Sequence, residues 1–338
     1  MVRTIRDIAK SAGVSVSTVS KVINNYPNVS DKTKERVLRV VREEQFVPNS
    51  TARGLVKGST QTLGLFLTTG LTHPYFVQLL AGLEESLKES GYDLIYLAQI
   101  DWNPEYSLVS HCRSRNVDGV LIFGFQRNDL NFDEMLQSEI PTMFIDLDLT
   151  GSRAGYITSD NMDSMRQAVN YLTGLGHREI AFVAGYQDSY VGKLRFEGYR
   201  QGIQESDLPY RPEYISFGDF TKDSGYAAMK DFLQCSTPPT AVICCSDMSA
   251  LGVIEAAAEA GLSVPQDLSV IGFDDIEISR YTNPPLTTIR QDFQTIGRQA
   301  ILQLDQMIRA PHADPPKLII PTELIIRGSC GACREGEQ

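Results

Sequence analysis

Several stretches of the chain carry residue types that could support catalysis or ligation, and each fails on spacing. After the apolar run EIAFVAG comes Gly185-Tyr-Gln-Asp-Ser-Tyr-Val-Gly192-Lys193, the nearest approach to a phosphate-cradling loop. It is two residues too long for that loop, and Leu194 stands where Ser or Thr would coordinate magnesium, so it reads better as the lining of a ligand cleft. Gly174-Leu-Gly176 follows a helical stretch and precedes a strand, the reverse of dinucleotide-binding order, which makes it a helix stop. Cys330-Gly-Ala-Cys333 has no second ligand pair, and His73, His111, His177 and His312 are isolated from one another. A structural zinc needs four ligands, so no metal is expected. His177, after a helix-ending glycine, fits a packed or capping side chain better than a general base. Asp274-Asp275 could serve as acid and base, but neighbours on one strand end point in opposite directions. No catalytic residue and no cofactor follows from these motifs.

The elements that would carry the remaining chemistry divide the chain. At the N-terminus, Thr4 with Asp7 predicts a capping box opening IRDIAKSA, with Ile5, Ile8 and Ala9 on one face and Gly13 as the positive-φ stop. Ser15 then caps VSTVSKVIN, where Val19, Val22 and Ile23 face inward while Val16, Ser17, Thr18, Ser20 and Lys21 stay on other faces. Two helices so close together suggest a helix-turn-helix. Ser30 is expected to cap a third helix whose apolar side is Val37, Leu38, Val40 and Val41. Residues 46–60, with Pro48, Gly58 and a short apolar patch, read as a linker with one helical turn that depends on partners, because so short a helix is marginal alone.

From Leu63 onward, apolar runs (LGLFL, YDLIYLA, GVLIFG, TMFID, EIAFVAG, AVICCS, SVIGFDD) alternate with amphipathic stretches near 74–90, 104–115, 161–174, 191–206, 222–234, 246–260 and 293–309. Such βα alternation predicts parallel sheets covered on both faces. About ten strands are too many for one sheet order, so two similar halves are expected, with ligand at the carboxyl ends of the strands. The tail after Arg327 is short and polar and carries no heptads.

Charge separates the same regions. The first 60 residues hold eleven basic and five acidic side chains, a balance of +6, so within a total of −11 the remainder carries −17. A basic head on an acidic body suggests a polyanion-binding module joined to one that must not bind polyanions. Apolar residues make up 42% and no apolar run is long enough to span a membrane. The N-terminus lacks an apolar export segment, which places the protein in the cytoplasm, and the six dispersed cysteines, with Cys244 and Cys245 inside an apolar run, read as free thiols.

The quoted stretches TIRDIAKSAGVSVSTVSKVINN, VSDKTKERV and PNSTARGL resemble the DNA-binding head and hinge of the lactose-repressor (LacI/GalR) family of bacterial transcriptional regulators. HPYF, VDGVLIFG, Ser159-Asp160-Asn161, LGHREIAFVAG, RFEGYRQGI, SDMSALG, VIGFDD, PPLTTIRQDF and PTELIIRGSC resemble that family's sugar-sensing core, so the likeness covers nearly the whole chain in order. It implies an α/β protein: a three-helix helix-turn-helix head (1–47), a hinge (48–61) and a periplasmic-binding-protein-like core of two doubly wound parallel-sheet subdomains. These would be 62–160 with 291–320, and 161–290 with 321–330, followed by a polar tail (331–338).

By the same resemblance Val16, Ser17 and Lys21 would read base edges, Thr4, Thr18, Ser20 and Asn24 would hold phosphates, and Arg53 and Leu55 would form the hinge helix that wedges the minor groove. The chemistry is sound, since hydroxyls suit phosphates, Val16 suits a thymine methyl and Lys21 suits guanine. Gly54 between the hinge residues lowers helix propensity by about 1 kcal/mol relative to alanine, which makes that helix more dependent on DNA. In the core, Arg195 and Asp274 would bond vicinal sugar hydroxyls, Asp146, Asp160 and Ser246 would line the site, and Phe76, Tyr190 and Phe220 would offer stacking faces. Ser246 stands where the family often has Asn, which shortens the reach to a ligand. Arg195 and Asp274 also fit a structural ion pair, and Phe76 and Phe220 also fit packed core rings.

The expected function is therefore a dimeric, non-enzymatic repressor that binds a double-stranded palindromic operator and leaves it when a small carbohydrate occupies the core. The alternatives are a regulator that needs a corepressor and a sugar-binding protein without gene control.

Overall fold

The computed structural model describes residues 3–24, 26–46, 59–68, 71, 74–99, 105–124 and 130–333. The chain forms two compact units, residues 1–61 and 62–338.

In the first unit, α1 (Ile5–Ala12), α2 (Val16–Ile23) and α3 (Asp31–Glu43) close around Ile8, Ala9, Ala12, Val19, Val22, Val37 and Val40. The reciprocal cap at Thr4 and Asp7 is formed, with the Thr4 backbone N–H donating to Asp7 Oδ2 at 2.9 Å and Asp7 N–H to Thr4 Oγ1 at 3.4 Å. Gly13 ends the helix at φ +62°. Ser15 Oγ accepts from Thr18 N–H at 3.1 Å, as its cap position requires. Two expectations shift. Ser30 occupies the N-cap of α3 without bonding the backbone, its hydroxyl lying 2.9 Å from Thr33 Oγ1. Leu38, expected inward, is 43% exposed, because Val37 and Val40 already fill the face that meets the other helices.

The second unit holds two six-stranded sheets. The first half runs β1 (Thr62–Leu67), α4 (Pro74–Ser90), β2 (Asp93–Tyr96), α5 (Leu108–Arg115), β3 (Gly119–Phe123), α6 (Leu130–Gln137), β4 (Thr142–Ile145) and β5 (Ala154–Ser159). The second runs α7 (Asn161–Gly174), β6 (Ile180–Ala184), α8 (Tyr190–Glu205), β7 (Ile215–Phe217), α9 (Lys222–Phe232), β8 (Ala241–Cys244), α10 (Asp247–Glu259), β9 (Ser269–Asp274) and β10 (Thr287–Gln291). The chain then returns as α11 (Phe293–Arg309), β11 (Lys317–Ile320) and β12 (Thr322–Ile325). Strand orders are β2-β1-β3-β4-β5-β11 and β7-β6-β8-β9-β10-β12, the same doubly wound pattern twice. Every described pairing is parallel except β10 with β12.

The chain thus passes between sheets after Ser159, after Gln291 and between Ile320 and Thr322. Gln291, expected in the first subdomain, pairs with Thr322 and closes the second sheet. Five strands and one helix go beyond the apolar runs of the sequence: β5, β7, β10, β11, β12 and α6. Their composition explains why, since TTIRQ, TELI and ISF mix polar residues into short strands, and β7, β11 and β12 are half exposed. A continuous core underlies both halves, including Leu65, Phe123 and Ile145 from one and Phe182, Ile243 and Phe273 from the other. Cys112, Cys244 and Cys245 are buried thiols. Among the described residues no helix is long and apolar enough to cross a membrane, and no group of residues is arranged to hold a metal.

Candidate nucleic-acid interface and effector site

On α2 the apolar positions turn inward and leave Val16, Ser17 and Lys21 exposed, with Thr18, Ser20 and Asn24 half-buried beside them. Positions 16, 17, 20, 21 and 24 share one stripe because helical side chains recur at three- and four-residue spacing. The stripe is internally braced. Ser15 Oγ lies 2.8 Å from both Ser17 Oγ and Thr18 Oγ1, and Asn24 Nδ2 donates to the Ser20 carbonyl at 2.9 Å. Thr4 is exposed and its hydroxyl donates to Asp7 Oδ2 at 2.7 Å. An exposed ammonium, hydroxyls and a valine on a single helix face suit phosphate oxygens and base edges. Arg53 and Leu55 lie outside the described residues.

In the core, Asp146, Asp160, Phe220, Ser246 and Asp274 stand at or just beyond the carboxyl end of a strand, whereas Phe76 lies on α4 and Tyr190 and Arg195 on α8. Asp146 follows β4 at φ +60°, Asp274 ends β9 at φ +116°, and Phe220 follows β7 at φ +67°. The structure links several of them through residues the sequence did not single out. Asp146 Oδ2 accepts from Tyr75 Oη at 2.5 Å and Asp146 Oδ1 from Thr158 Oγ1 at 2.7 Å. Asn161 Nδ2 donates to Thr158 Oγ1 at 3.2 Å, and Asn161 Oδ1 accepts from Arg195 Nε at 2.7 Å. Arg195 Nη1 donates to the Cys245 carbonyl at 2.5 Å, and its guanidinium carbon lies 3.6 Å from the Phe273 ring centroid and 5.9 Å from that of Phe220. Asp274 Oδ1 accepts from Gln291 Nε2 at 2.7 Å. This chain of polar groups runs from the first sheet, through a crossover, into the second.

Its electrostatics follow from burial. Asp146 and Asp274 are pushed above the usual carboxylate range by desolvation, opposed at Asp146 by the hydrogen bonds from Tyr75 and Thr158 and at both by the charge of Arg195. The Tyr75 phenol is pushed well up by burial and by Asp146. Asp275, just beyond β9, binds a different set of partners. Arg327 and Arg290 hold its carboxylate at 2.5 and 2.8 Å, with Arg280 at 3.7 Å.

Other expected residues hold structure. Ser246 caps α10, accepting from Ser249 N–H at 3.0 Å and donating to the Phe220 carbonyl at 2.9 Å, so its hydroxyl also fixes the Phe220 loop. Asp160 caps α7 through Asp163 N–H at 3.1 Å. Phe76 is fully buried with its centroid 6.5 Å from that of Phe123, which makes its ring part of the core and not an open stacking face. Arg195 and Asp274 form no direct ion pair within 4 Å among the described contacts. Tyr190 is half-buried at the first position of α8, where Ser189 provides the cap. Tyr75, Asn161 and Gln291 were within reach of the sequence, in HPYF, Ser159-Asp160-Asn161 and PPLTTIRQDF, but their side chains looked like neighbours of the conspicuous ones.

Comparison with known proteins agrees with the fold. Residues 4–49 match the model for bacterial regulatory proteins, lacI family, and residues 169–330 match a periplasmic binding protein-like domain. The HTH-type transcriptional repressor PurR of Histophilus somni (strain 129Pt) is 35% identical over 331 residues, covering 96% of this chain and 98% of the relative. A lac repressor dimer bound to operator and the anti-inducer ONPF superposes with a TM-score of 0.84 at 29% identity, covering 98% of this chain and 100% of the other. The transcriptional regulator CelR in complex with cellobiose superposes at 0.74 with 30% identity, covering 97% and 99%.

Proposed function

The chain belongs to the lacI family of bacterial regulatory proteins, and from that premise we propose that it acts as a homodimer whose heads grip a palindromic operator and whose core releases it when a small carbohydrate binds. It is a DNA-binding transcriptional repressor and not an enzyme. The observation that carries the carbohydrate reading is the polar chain from Asp146 through Asn161 to Arg195, flanked by Asp274 and by the Phe220 and Phe273 rings. Acceptor carboxylates, a guanidinium and aromatic faces are what a polyhydroxylated ring requires. CelR, similar over nearly its whole length, is a cellobiose complex. Arg195, Asp274, Asp146 and Tyr190 are assigned to the ligand, Val16, Ser17 and Lys21 to base edges, and Thr4, Thr18, Ser20 and Asn24 to phosphates. A ligand spanning the two subdomains changes their relative population of closed forms and so the hinge segments that meet DNA.

The test is fluorescence anisotropy of the full chain on a pool of palindromic duplexes with a central CG step, repeated with mono- and disaccharides. Specific binding lost with one sugar supports the reading. Binding that arises only with ligand reverses the sign to a corepressor, and absence of specific binding under every condition overturns it.

A further inference from the structure

Asp247 is the first residue of α10 and is fully buried. Its carboxylate gathers three donors from two other segments. Oδ2 accepts from Ile276 N–H at 2.9 Å and Ser279 Oγ at 2.6 Å, and Oδ1 accepts from Thr288 Oγ1 at 2.5 Å on β10. Gly272 on β9 leaves the room it needs, since a Cβ there would sit 2.1 Å from Asp247 Oδ1. The loop so held begins with Asp274 and Asp275, two successive non-glycine residues at φ +116° and +52°. That backbone is uncommon for side-chain-bearing residues and persists only where surrounding contacts impose it. The loop also meets the other half of the unit, the Asp275 carbonyl accepting from Gln78 Nε2 on α4 at 3.4 Å.

We infer that Asp247 is a positioning residue for the effector response: it clamps the 274–280 loop to α10 and β10, and thereby fixes Asp274 against Gln291 and the Asp275 carbonyl against Gln78. The role given to Asp274 rests on the effector reading above, whereas the clamp itself is tested on ligand-free protein. Burial raises the Asp247 carboxyl from 3.8 to about 7, against the pull of its three donors and with the help of the Asp275 charge. Asp274 and Cys244 also face it, and Asp275 in turn carries Arg280, Arg290 and Arg327. Opening the loop would return the carboxyl to water and its ordinary range. Closed loop therefore holds the proton more tightly than open loop, and opening becomes easier as pH rises toward 7 and levels off above it.

The measurement is amide hydrogen exchange of the full chain over 275–281 between pH 5 and 8.5, corrected for intrinsic rates. Protection should fall by up to about tenfold per pH unit below neutrality and then level off. Asp247→Asn should flatten that profile while leaving peptides of the first sheet unchanged. Ser279→Ala, which keeps the carboxyl and removes one donor, should move the levelling point to higher pH and carries the test if Asp247→Asn does not fold. A flat wild-type profile, or a sloping one that either variant leaves in place, overturns the assignment.

Discussion

Arg195 donates through Nε to Asn161 Oδ1 at 2.7 Å, joining the helix after β6 to the residue at which the chain first crosses between sheets. The same guanidinium bonds the Cys245 carbonyl and has its carbon 3.6 Å from the Phe273 ring centroid, so one side chain fixes a helix, a strand end and a crossover. Lysine offers one ammonium and no planar face. Arg195→Lys is expected to leave a buried acceptor without a donor and to lower stability by about 1–3 kcal/mol. Urea unfolding checks this, and a midpoint equal to wild type would show that the crossover does not depend on the planar fork.

Much of this site was legible in residue type and little of it in partnership. Asp146, Arg195 and Asp274 were singled out through the resemblance to the lactose-repressor family, and the structure shows all three to be buried charged side chains that demand partners. Tyr75, Thr158 and Gln291 do not, because a phenol, a hydroxyl or an amide inside a strand or helix is ordinary until its neighbour across the fold is known. The sheets show a similar divide. Fully buried runs such as GVLIF and SVIGFD announced themselves, whereas KLII and TELI, half exposed and paired at the sheet edges, lack a long apolar signal. Ser246 reads two ways for a physical reason, since a serine before a helix serves as cap or ligand with equal chemistry, and the Ser249 N–H shows the capping role.

Lys21 is exposed on the α2 stripe beside Ser17 and Val16. If its ammonium reaches a base edge as proposed, Lys21→Ala should weaken operator binding by about 1–3 kcal/mol and relax preference at one base pair. A phosphate role would instead weaken all sequences equally and reduce the salt slope by about 1. Anisotropy on operator and scrambled duplexes at several salt concentrations separates the two, and equal losses on both duplexes would move Lys21 to the phosphates.

Asp274 is held above its ordinary range chiefly by burial, with Arg195 opposing. A raised carboxyl means the folded state binds the proton more tightly than the unfolded one. Its contribution to stability is complete below the unfolded value of about 4 and is lost as pH rises through the folded one. Asp274→Asn retains the acceptor for Gln291 and removes the titration. Thermal unfolding between pH 5 and 8 should therefore decline less steeply in the variant than in wild type, and parallel curves would remove Asp274 from the pH dependence.

His177 titrates with the opposite sign. Its ring is 3% exposed, with Nδ1 2.9 Å from Thr240 Oγ1 and Nε2 2.9 Å from Ser269 Oγ and 3.1 Å from the Gly331 carbonyl. Burial lowers its pKa below 6.5, outweighing the bond to Gly331. A depressed histidine contributes stability above the unfolded value, and that stability is lost as pH falls through 6.5 toward the folded value. The Cys333 N–H donates to the Leu175 carbonyl at 2.8 Å, so the segment 331–333 is pinned beside this ring at two points. Acidification from pH 7 to 5 should therefore loosen 331–333 before the sheets, read as faster amide exchange there. His177→Ala would remove the ring's hydrogen bonds to Thr240, Ser269 and Gly331, lowering stability by about 1–3 kcal/mol and abolishing that pH response. Exchange at 331–333 that stays slow at pH 5 in wild type would show that the ring packs the segment without governing it.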